Sequence, residues 1–340
     1  MTTSTKPFAI YYEHPDWFRP LFAELERRAL PYVRLDASRQ MYDPALHSNP
    51  DSTLSPALEL TGTSAGNFSE YSLVFNRMSP SAYLRGNGNS LFYTLGWLAH
   101  MERQGARVIN GYQAFTYETN KALQLQLLET LGLAYPATRV INHAAMAPVA
   151  AEGLRFPVVV KANIGGSGAG ITRYDTPAQL QQALENNEID LGLDSTALVQ
   201  EYIPARGGHI TRIETLGGKY LYAINVYTNG ESFNLCPADI CQTSGGVALT
   251  RTACPVDAPK SGMTVEPTIP APDVIDAIER IMQAANIDVG GIEVMVDDRD
   301  GRLVYYDINA LSNFVADARR VVGFDPHERL VDYLVLQLEM

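Results

Sequence analysis

Apolar positions along this chain follow two periods, and the period changes from segment to segment. Residues 8–12 (FAIYY) are a short unbroken apolar run, predicted as a buried strand. Over 17–30 the apolar residues Phe18, Leu21, Phe22, Leu25 and Leu30 fall close to helical spacing, and 32–35 is a second strand. The stretch 36–64 is polar and rich in Pro and Ser, which predicts irregular chain. A third strand follows at 71–76 and a helix at 91–104. Strands and helices taken in turn predict a parallel sheet open at one edge. From Thr116 a new unit begins. Leu123, Leu127, Leu128 and Leu131 form a helical stripe that Gly132 ends. A strand spans 156–161. Thr176 and Pro177 read as N-cap and first residue of a helix through Leu180, Ala183 and Leu184. A further strand at 198–203 stops at Pro204. The remainder reads as two hairpins, 211–216 with 219–227 about Gly217-Gly218 and 292–296 with 303–308, and helices over 271–285 and 326–338. Three units result: 1–115, 116–203 and 204–340. There are no internal repeats and no low-complexity segments.

Composition narrows the function classes. Of 340 residues, 46% are hydrophobic and 19% charged, a globular balance that excludes wholesale disorder. The net charge of −12 gives no bulk attraction for nucleic acid or an anionic membrane. No apolar run approaches the roughly 18 residues of a membrane span, and the N-terminus has no leader pattern. The three cysteines, Cys236, Cys241 and Cys254, show no CxxC pairing, and the six histidines show no metal-ligand spacing. A disulfide scaffold and a structural zinc site are therefore not expected, and Cys236 and Cys241 read as small core residues. The expectation is a cytoplasmic protein acting on small molecules.

The sharpest local signal is FPVVVKANIGGSGAGITRY, 156–174. A strand ends at Lys161, and Gly165, Gly166, Gly168 and Gly170 follow. Glycines let successive N–H groups turn toward one anion without side-chain interference, which suits a polyphosphate. The Walker order is absent, since the lysine precedes the glycines, and so is the dinucleotide GxGxxG. The β-favouring ITRY that follows places the glycines at the tip of a hairpin, as a lid over phosphates. A lysine closing a VVV strand is costly to bury unless it meets an anion.

The second signal is GGIEVMVDDRDGRLVYYDIN, 290–309. A three-residue loop of Arg299, Asp300 and Gly301 pairs Asp298 with Arg302. Counting back, Glu293 lies opposite Asp307, and Asn309 shares the Asp307 face. A two-residue loop of Asp300 and Gly301 would instead turn Asp307 to the other face. Opposed carboxylates repel unless a cation lies between them, and with an amide oxygen they form a hard donor set for Mg²⁺ held jointly with phosphates. An EF-hand is excluded because Val296 occupies its first ligand position.

Taken in order, these parts resemble the ATP-grasp superfamily, and within it the RimK-like carboxylate–amine ligases. TNKALQLQLLETLGL resembles the helix bearing the first ATP lysine, Lys121. VVVKANIGGSGAGI resembles the second lysine and the phosphate lid, LVQEYI the adenine strand, GGHITRIETLGGKYLYAI the segment of the transition-state arginine, and IEVMV…YYDIN the metal strands. VFNRM, with Arg77, resembles a substrate-side strand of the first domain. The resemblance spans about 70 to 315. It implies an α/β (α+β) ATP-grasp fold of three subdomains, with ATP between the second and third. Lys121 and Lys161 would contact the phosphates, and Gly165, Gly166, Ser167 and Gly168 would cover them. Gln200, Glu201, Tyr202 and Ile203 would line the adenine, with Glu201 and Ile203 reading it through the main chain, and His209 would approach the ribose. Glu293, Asp307 and Asn309 would hold one or two Mg²⁺, with Mn²⁺ able to substitute. Arg212, Lys161 and Asn309 are the implied catalytic residues, and Arg77, Asn234, Arg251 and Asn313 the implied substrate contacts.

The implied reaction is attack of a substrate carboxylate on the terminal phosphate of ATP, giving an acyl phosphate that an amine converts to an amide, with ADP and phosphate released. Two lysines, an arginine and Mg²⁺ supply the neutralisation that bringing these anions together requires, and a lid protects an acyl phosphate from water. The sequence departs from the family at Asp307, where Glu is common, at ALSNF after Asn309, and over 232–251, which lacks the basic residues usual after Asn234; Arg251 stands further along. Two other classes fit the same fold: a silent nucleotide-binding regulatory protein and a small-molecule kinase. The resemblance leaves a homo-oligomer possible.

Overall fold

A computed structural model of the chain describes residues 6–44, 71–166, 170–227 and 264–338. Of the expected features, Ser167, Gly168, Asn234, Arg251, the three cysteines and most of 36–64 lie outside these residues. Three sheets make up the described fold.

The first is the parallel sheet the alternation predicts. Strands β1 (Phe8–Tyr12), β2 (Tyr32–Asp36), β3 (Leu73–Arg77) and β4 (Val108–Ile109) lie in the order β2-β1-β3-β4. Every residue of β1 and β3 is buried, because both faces of a parallel sheet are covered. Phe8, Ile10 and Tyr12 face α1 (Arg19–Arg27), whereas Ala9 and Tyr11 face α2 (Gly88–Arg103). Tyr11 stacks on Trp97 with ring centroids 4.1 Å apart. The helix predicted over 17–30 is shorter: a 3₁₀ turn at Pro15–Phe18 precedes it, and Ala29 at φ 52° breaks it before Leu30.

The second sheet is antiparallel, in the order β5-β8-β6-β7, from β5 (Thr138–Ile141), β6 (Val158–Ala162), β7 (Ile171–Tyr174) and β8 (Ala197–Glu201). ITRY is indeed the return strand of a hairpin with β6. Val158, Val160, Ala197 and Val199 pack against α5 (Pro177–Glu185), whose N-cap Thr176 accepts from Gln179 N. By alternation the opposite face carries Lys161, Leu198 and Gln200. Helices α3 (Tyr112–Glu118) and α4 (Lys121–Thr130) lead into this sheet.

The third sheet is antiparallel, in the order β11-β10-β9-β12-β13, from β9 (His209–Leu216), β10 (Lys219–Tyr227), β11 (Val265–Thr268), β12 (Val289–Val296) and β13 (Leu303–Asn309). Gly217 and Gly218 connect β9 to β10 with φ of 61° and 68°, the left-handed pair that a tight hairpin turn needs. One face packs Ile213, Ile292 and Val294 on α6 (Pro272–Ala285) and on α4. The other packs Tyr222, Ile224 and Val304 toward β1, β3 and α7 (Pro326–Leu336). Strands β4, β5 and β11 had no sequence signal: β4 has two residues, β5 has only four, with Arg139 and Val140 both exposed, and β11 (VEPT) carries a proline tolerated only at a sheet edge.

The β12–β13 turn corrects the expected loop. Asp297 N bonds Arg302 O at 2.8 Å and Gly301 N bonds Asp297 O at 2.8 Å, so the loop is 298–301, one residue longer than expected. That pairing alone would push Asp307 out of register. A bulge restores it: Val294 pairs with Tyr305, but Glu293 pairs with Asp307, leaving Tyr306 as the extra residue. The expected facing carboxylates are therefore present, through a longer turn and a compensating bulge.

Asn110, just after β4, joins the first sheet to the third. At φ 52° its Nδ2 donates to Val289 O and Ala310 O, both at 2.6 Å, while its Oδ1 accepts from Asp288 N (2.9 Å) and Val289 N (3.0 Å). Asn110→Ala should leave these backbone groups unpaired and put alanine, which tolerates the left-handed region less well than asparagine, at φ 52°. The expected cost is about 3 kcal/mol, read as a lower urea midpoint; a loss within about 0.5 kcal/mol would show that the joint contributes nothing.

Candidate active site

Strand pairing brings the polar residues of the third sheet into two adjacent rows. Glu293 on β12 lies opposite Arg212 on β9 and Asp307 on β13, and Gly291 lies opposite Glu214 and Asn309. Arg212 Nε donates to Glu214 Oε1 at 2.6 Å, its Nη1 to Glu293 Oε1 at 2.8 Å, and its Nη2 to Ser312 Oγ at 3.3 Å. Tyr306, turned in by the bulge, donates its O–H to Glu293 Oε2 at 2.8 Å. Gly291 has no substitute here. A Cβ would come within 2.8 Å of Glu214 Oε2 and 2.9 Å of Arg212 Nη2, which cross the space above it.

Helix α4 and strand β6 of the second sheet supply one lysine each. Asn163 anchors the start of α4, accepting from Ala122 N at 2.9 Å through its side chain and from Lys121 N at 3.3 Å through its carbonyl. Lys121 Nζ then lies 3.1 Å from Asp307 Oδ1 and 3.3 Å from Gly165 O. Lys161 projects from β6 into the same space and makes no hydrogen bond or ion pair among the described residues. Burial and the neighbouring Lys121 charge bring its ammonium down to about 8, against the pull of Asp307 and Glu293. Burial would raise Asp307, but Lys121 and Lys161 outweigh it and hold that carboxyl low. Glu293 goes the other way, raised by burial despite Arg212.

Four cations, Arg77, Lys121, Lys161 and Arg212, thus share one region with four carboxylates, Glu118, Glu214, Glu293 and Asp307. Six of these are buried, and Lys121 and Asp307 are partly open. Glu118 accepts from Ala310 N and, at 3.2 Å, from Leu311 N, and burial lifts it to about 7. Arg77 donates from Nη2 to Ser312 O and, at 2.9 Å, to Asn313 Oδ1, while its buried Nε and Nη1 have no hydrogen-bond partner among the described residues. Burial brings Arg77 down to about 9 against the pull of Glu118 and Glu214.

Among the described residues, no three His, Cys, Asp or Glu side chains converge on a point. Glu293 and Asp307 face each other across β12 and β13, and Asn309 donates Nδ2 to Asp307 Oδ2 at 3.0 Å. With the Asn309 amide turned so that its oxygen faces the carboxylates, the three would fit a Mg²⁺ that completes its shell with phosphates and water.

Along the strand expected to meet adenine, Glu201 N and Tyr202 N bond Ala137 O and Pro157 O, each at 2.9 Å, whereas no hydrogen bond among the described residues uses the Ile203 N–H. The Glu201 carboxylate is turned into a network with Arg155 (Nε at 3.0 Å) and Arg299 (Nη2 at 3.3 Å), so it is the main chain that remains for a ligand. Gln200 shares the Lys161 face and donates to Thr138 Oγ1 at 2.8 Å. Gly166 packs against Pro80 and Ser81, bringing the start of the lid against the first unit. His209 is not drawn into the cluster. It opens β9 on the opposite alternation from Arg212, with its ring 5.1 Å from Tyr227.

Sequence reading missed Glu118, Glu214, Tyr306 and Ser312. Glu214 had a signal, a second charge two residues beyond Arg212 on the same strand face. Tyr306 had none, because only the bulge turns it inward.

The fold is that of ATP-grasp enzymes. The structure of the ATP-grasp ligase PsnB, complexed with a phosphomimetic variant of its minimal precursor, Mg and ADP, superposes with a TM-score of 0.62 over 97% of this chain and 98% of that one, at 17% identity. D-cycloserine synthetase DcsG gives 0.62 over 97% and 99%, at 16% identity. Residues 118–235 match the family model of the RimK-like ATP-grasp domain. A probable alpha-L-glutamate ligase of Thioalkalivibrio sulfidiphilus is 25% identical over 226 residues, 62% of this chain and 73% of that protein. A D-alanine–D-alanine ligase of Geobacter sulfurreducens is 27% identical over 137 residues, 38% and 42% respectively. No helix among the described residues is long and apolar enough to cross a membrane.

Lys161 predicts a pH dependence of anion binding. Below about 8 it is charged before the anion arrives; above that, binding must first take up a proton. The affinity for ADP measured by calorimetry should fall with rising pH beyond that point, approaching tenfold per pH unit. Lys161→Arg should flatten the profile, because an arginine stays charged. An equally steep fall in Lys161→Arg would assign the proton to another group.

Proposed function

We propose that this protein is an ATP-dependent carboxylate–amine ligase that forms an amide through an acyl phosphate, acting on an amino acid, a short peptide or a related small acid. The observation that carries this reading is the meeting of Lys121 of α4 and Lys161 of the second sheet with Arg212, Glu293, Asp307 and Asn309 of the third. The relatives are ligases of the same class, and ATP-dependent C–N bond formation is the chemistry they share.

In this reading Ile203 and Glu201 receive the adenine through main-chain groups, with Gln200 and Tyr202 beside it. Lys121 and Lys161 neutralise the phosphates, and the glycine loop that starts at Gly165 and Gly166 and continues through Ser167 and Gly168 shuts out water. Mg²⁺ held by Glu293, Asp307 and Asn309 would supply charge neutralisation at the phosphoryl oxygens; Mn²⁺ is expected to replace it. A carboxylate oxygen of the acid attacks the terminal phosphorus and ADP leaves. Arg212 stabilises the charge that builds on the transferred group. The amine nitrogen then attacks the acyl carbon, phosphate leaves, and the nitrogen gives up a proton. Arg77, through its Nε and Nη1, which have no hydrogen-bond partner among the described residues, and Asn313 contact the acid; Asn234 and Arg251, outside the described residues, are further expected substrate contacts.

The test is turnover of Mg²⁺–ATP with pooled acids and amines, with hydroxylamine present to trap acyl phosphate. ADP together with a hydroxamate is the expected result. ADP with a stable phosphorylated product would make the protein a kinase, and nucleotide binding without turnover across the panel would make it a silent binding protein. Arg212→Ala should lower kcat by about 10² to 10³ with a small change in nucleotide affinity. Equal losses in both would remove its transition-state role. Asp307→Ala should raise the Mg²⁺ concentration needed for half-maximal turnover, and an unchanged titration would take Asp307 out of the metal site.

A further inference from the structure

The proposed reaction leaves two carboxylates of the cluster without a task, and of these Glu214 is the one bonded to Arg212. It is 1% exposed, in the centre of a sheet face that is otherwise apolar at Ile210, Tyr222 and Ile224. Such a position costs a great deal for a charge unless its partner is fixed. Its partners are Arg212 Nε, at 2.6 Å, and the O–H of Ser312, which donates to Glu214 Oε2. Ser312 Oγ in turn accepts from Arg212 Nη2, so Glu214, Ser312 and Arg212 close a ring.

The Arg212 guanidinium has two anionic partners, and they differ in kind. Glu293 is also a donor of the metal set. A divalent cation at Glu293 opposes Arg212 Nη1, which occupies Glu293 Oε1, while Oε2 is held by Tyr306. Glu214 lies one row further from Asp307, across Gly291, and belongs to no metal set. We propose that Glu214 is a positioning residue that retains Arg212 in the site when a metal takes Glu293, so that one guanidinium serves first as the partner of the metal carboxylate and then as the cation facing the transferred phosphoryl group. This rests on the nucleotide and metal reading above.

Two consequences follow. Without the Glu214 charge, Arg212 keeps Glu293 as its anion among the described residues and the region carries one more positive charge; both oppose metal binding. Once metal does bind, the guanidinium lacks the anchoring charge of Glu214 and is held less firmly, so the chemical step slows more than nucleotide affinity falls.

The experiment measures Mn²⁺ binding to the full chain in the presence of ADP, from the electron paramagnetic resonance signal of free Mn²⁺, alongside steady-state kinetics. Glu214→Gln should weaken Mn²⁺ binding at least fivefold and lower kcat at least tenfold, with KM for ATP at saturating metal moving less than threefold. Glu279→Gln, the same charge change at a surface pair with Lys219 on α6, should leave Mn²⁺ binding unaltered. Ser312→Ala opens the ring while keeping every charge, and should shift Mn²⁺ binding in the same direction by a smaller factor; it carries the test if Glu214→Gln does not fold. Wild-type protein that binds Mn²⁺ with ADP, and variants at Glu214 and Ser312 that bind it equally well, would overturn the Glu214 role alone. Wild-type protein that binds no Mn²⁺ with ADP would overturn the nucleotide reading and this inference with it.

Discussion

Two carboxylates, Glu293 and Asp307, face each other across neighbouring strands in the interior of this protein, and most of the surrounding structure answers that repulsion. Left alone they would drive the strands apart or take up protons. Arg212 answers for the first and Lys121 for the second, at 2.8 Å and 3.1 Å. Those cations then need their own environment. Arg212 brings in Glu214, and Glu214 with Ser312 brings in the segment after β13. The outcome is a region of matched charge within an apolar sandwich, with its two open members, Lys121 and Asp307, on the side where a nucleotide would enter.

The segment 310–315 is where the first sheet, α3 and the third sheet meet chemically. Asn110, just after β4, and Glu118 from α3 hold Ala310, Arg77 holds Ser312 and Asn313, and Tyr222 receives the N–H of Val315 at 2.8 Å. No part of that segment is regular structure, so its shape comes from side chains of other elements. A residue such as Arg77 can therefore influence the segment that follows Asn309 without standing beside β12 and β13 in sequence or in the sheet.

The architecture was legible where pattern alone decides it. The buried run of β1, the stripe on α4, the Gly217-Gly218 turn and the lysine followed by glycines all appear as read, because each is a local consequence of spacing or backbone freedom. The opposed carboxylates were legible too, but by two departures that cancel: the loop is one residue longer, and Tyr306 absorbs the difference. What stayed hidden depends on distant pairing. Glu118 and Glu214 look like ordinary surface acids until Ala310, Ser312 and Arg212 are placed around them. The shift of His209 away from the cluster was likewise invisible, since one residue of register decides which face a side chain takes. Sequence shows which strands exist more readily than which faces they share.

The bulge at Tyr306 also divides β13 into two stretches whose registers are independent. Toward the tip, pairing follows the turn; toward the base, it follows Arg212 and Glu293 on β9 and β12. A hairpin built this way has slack. A turn that gains or loses a residue over generations can be accommodated where Tyr306 sits, and the metal-facing ends stay in phase. The tip, which meets the hinge network of Glu201 through Arg299, is thereby at liberty to diversify while the chemistry beneath it stands still.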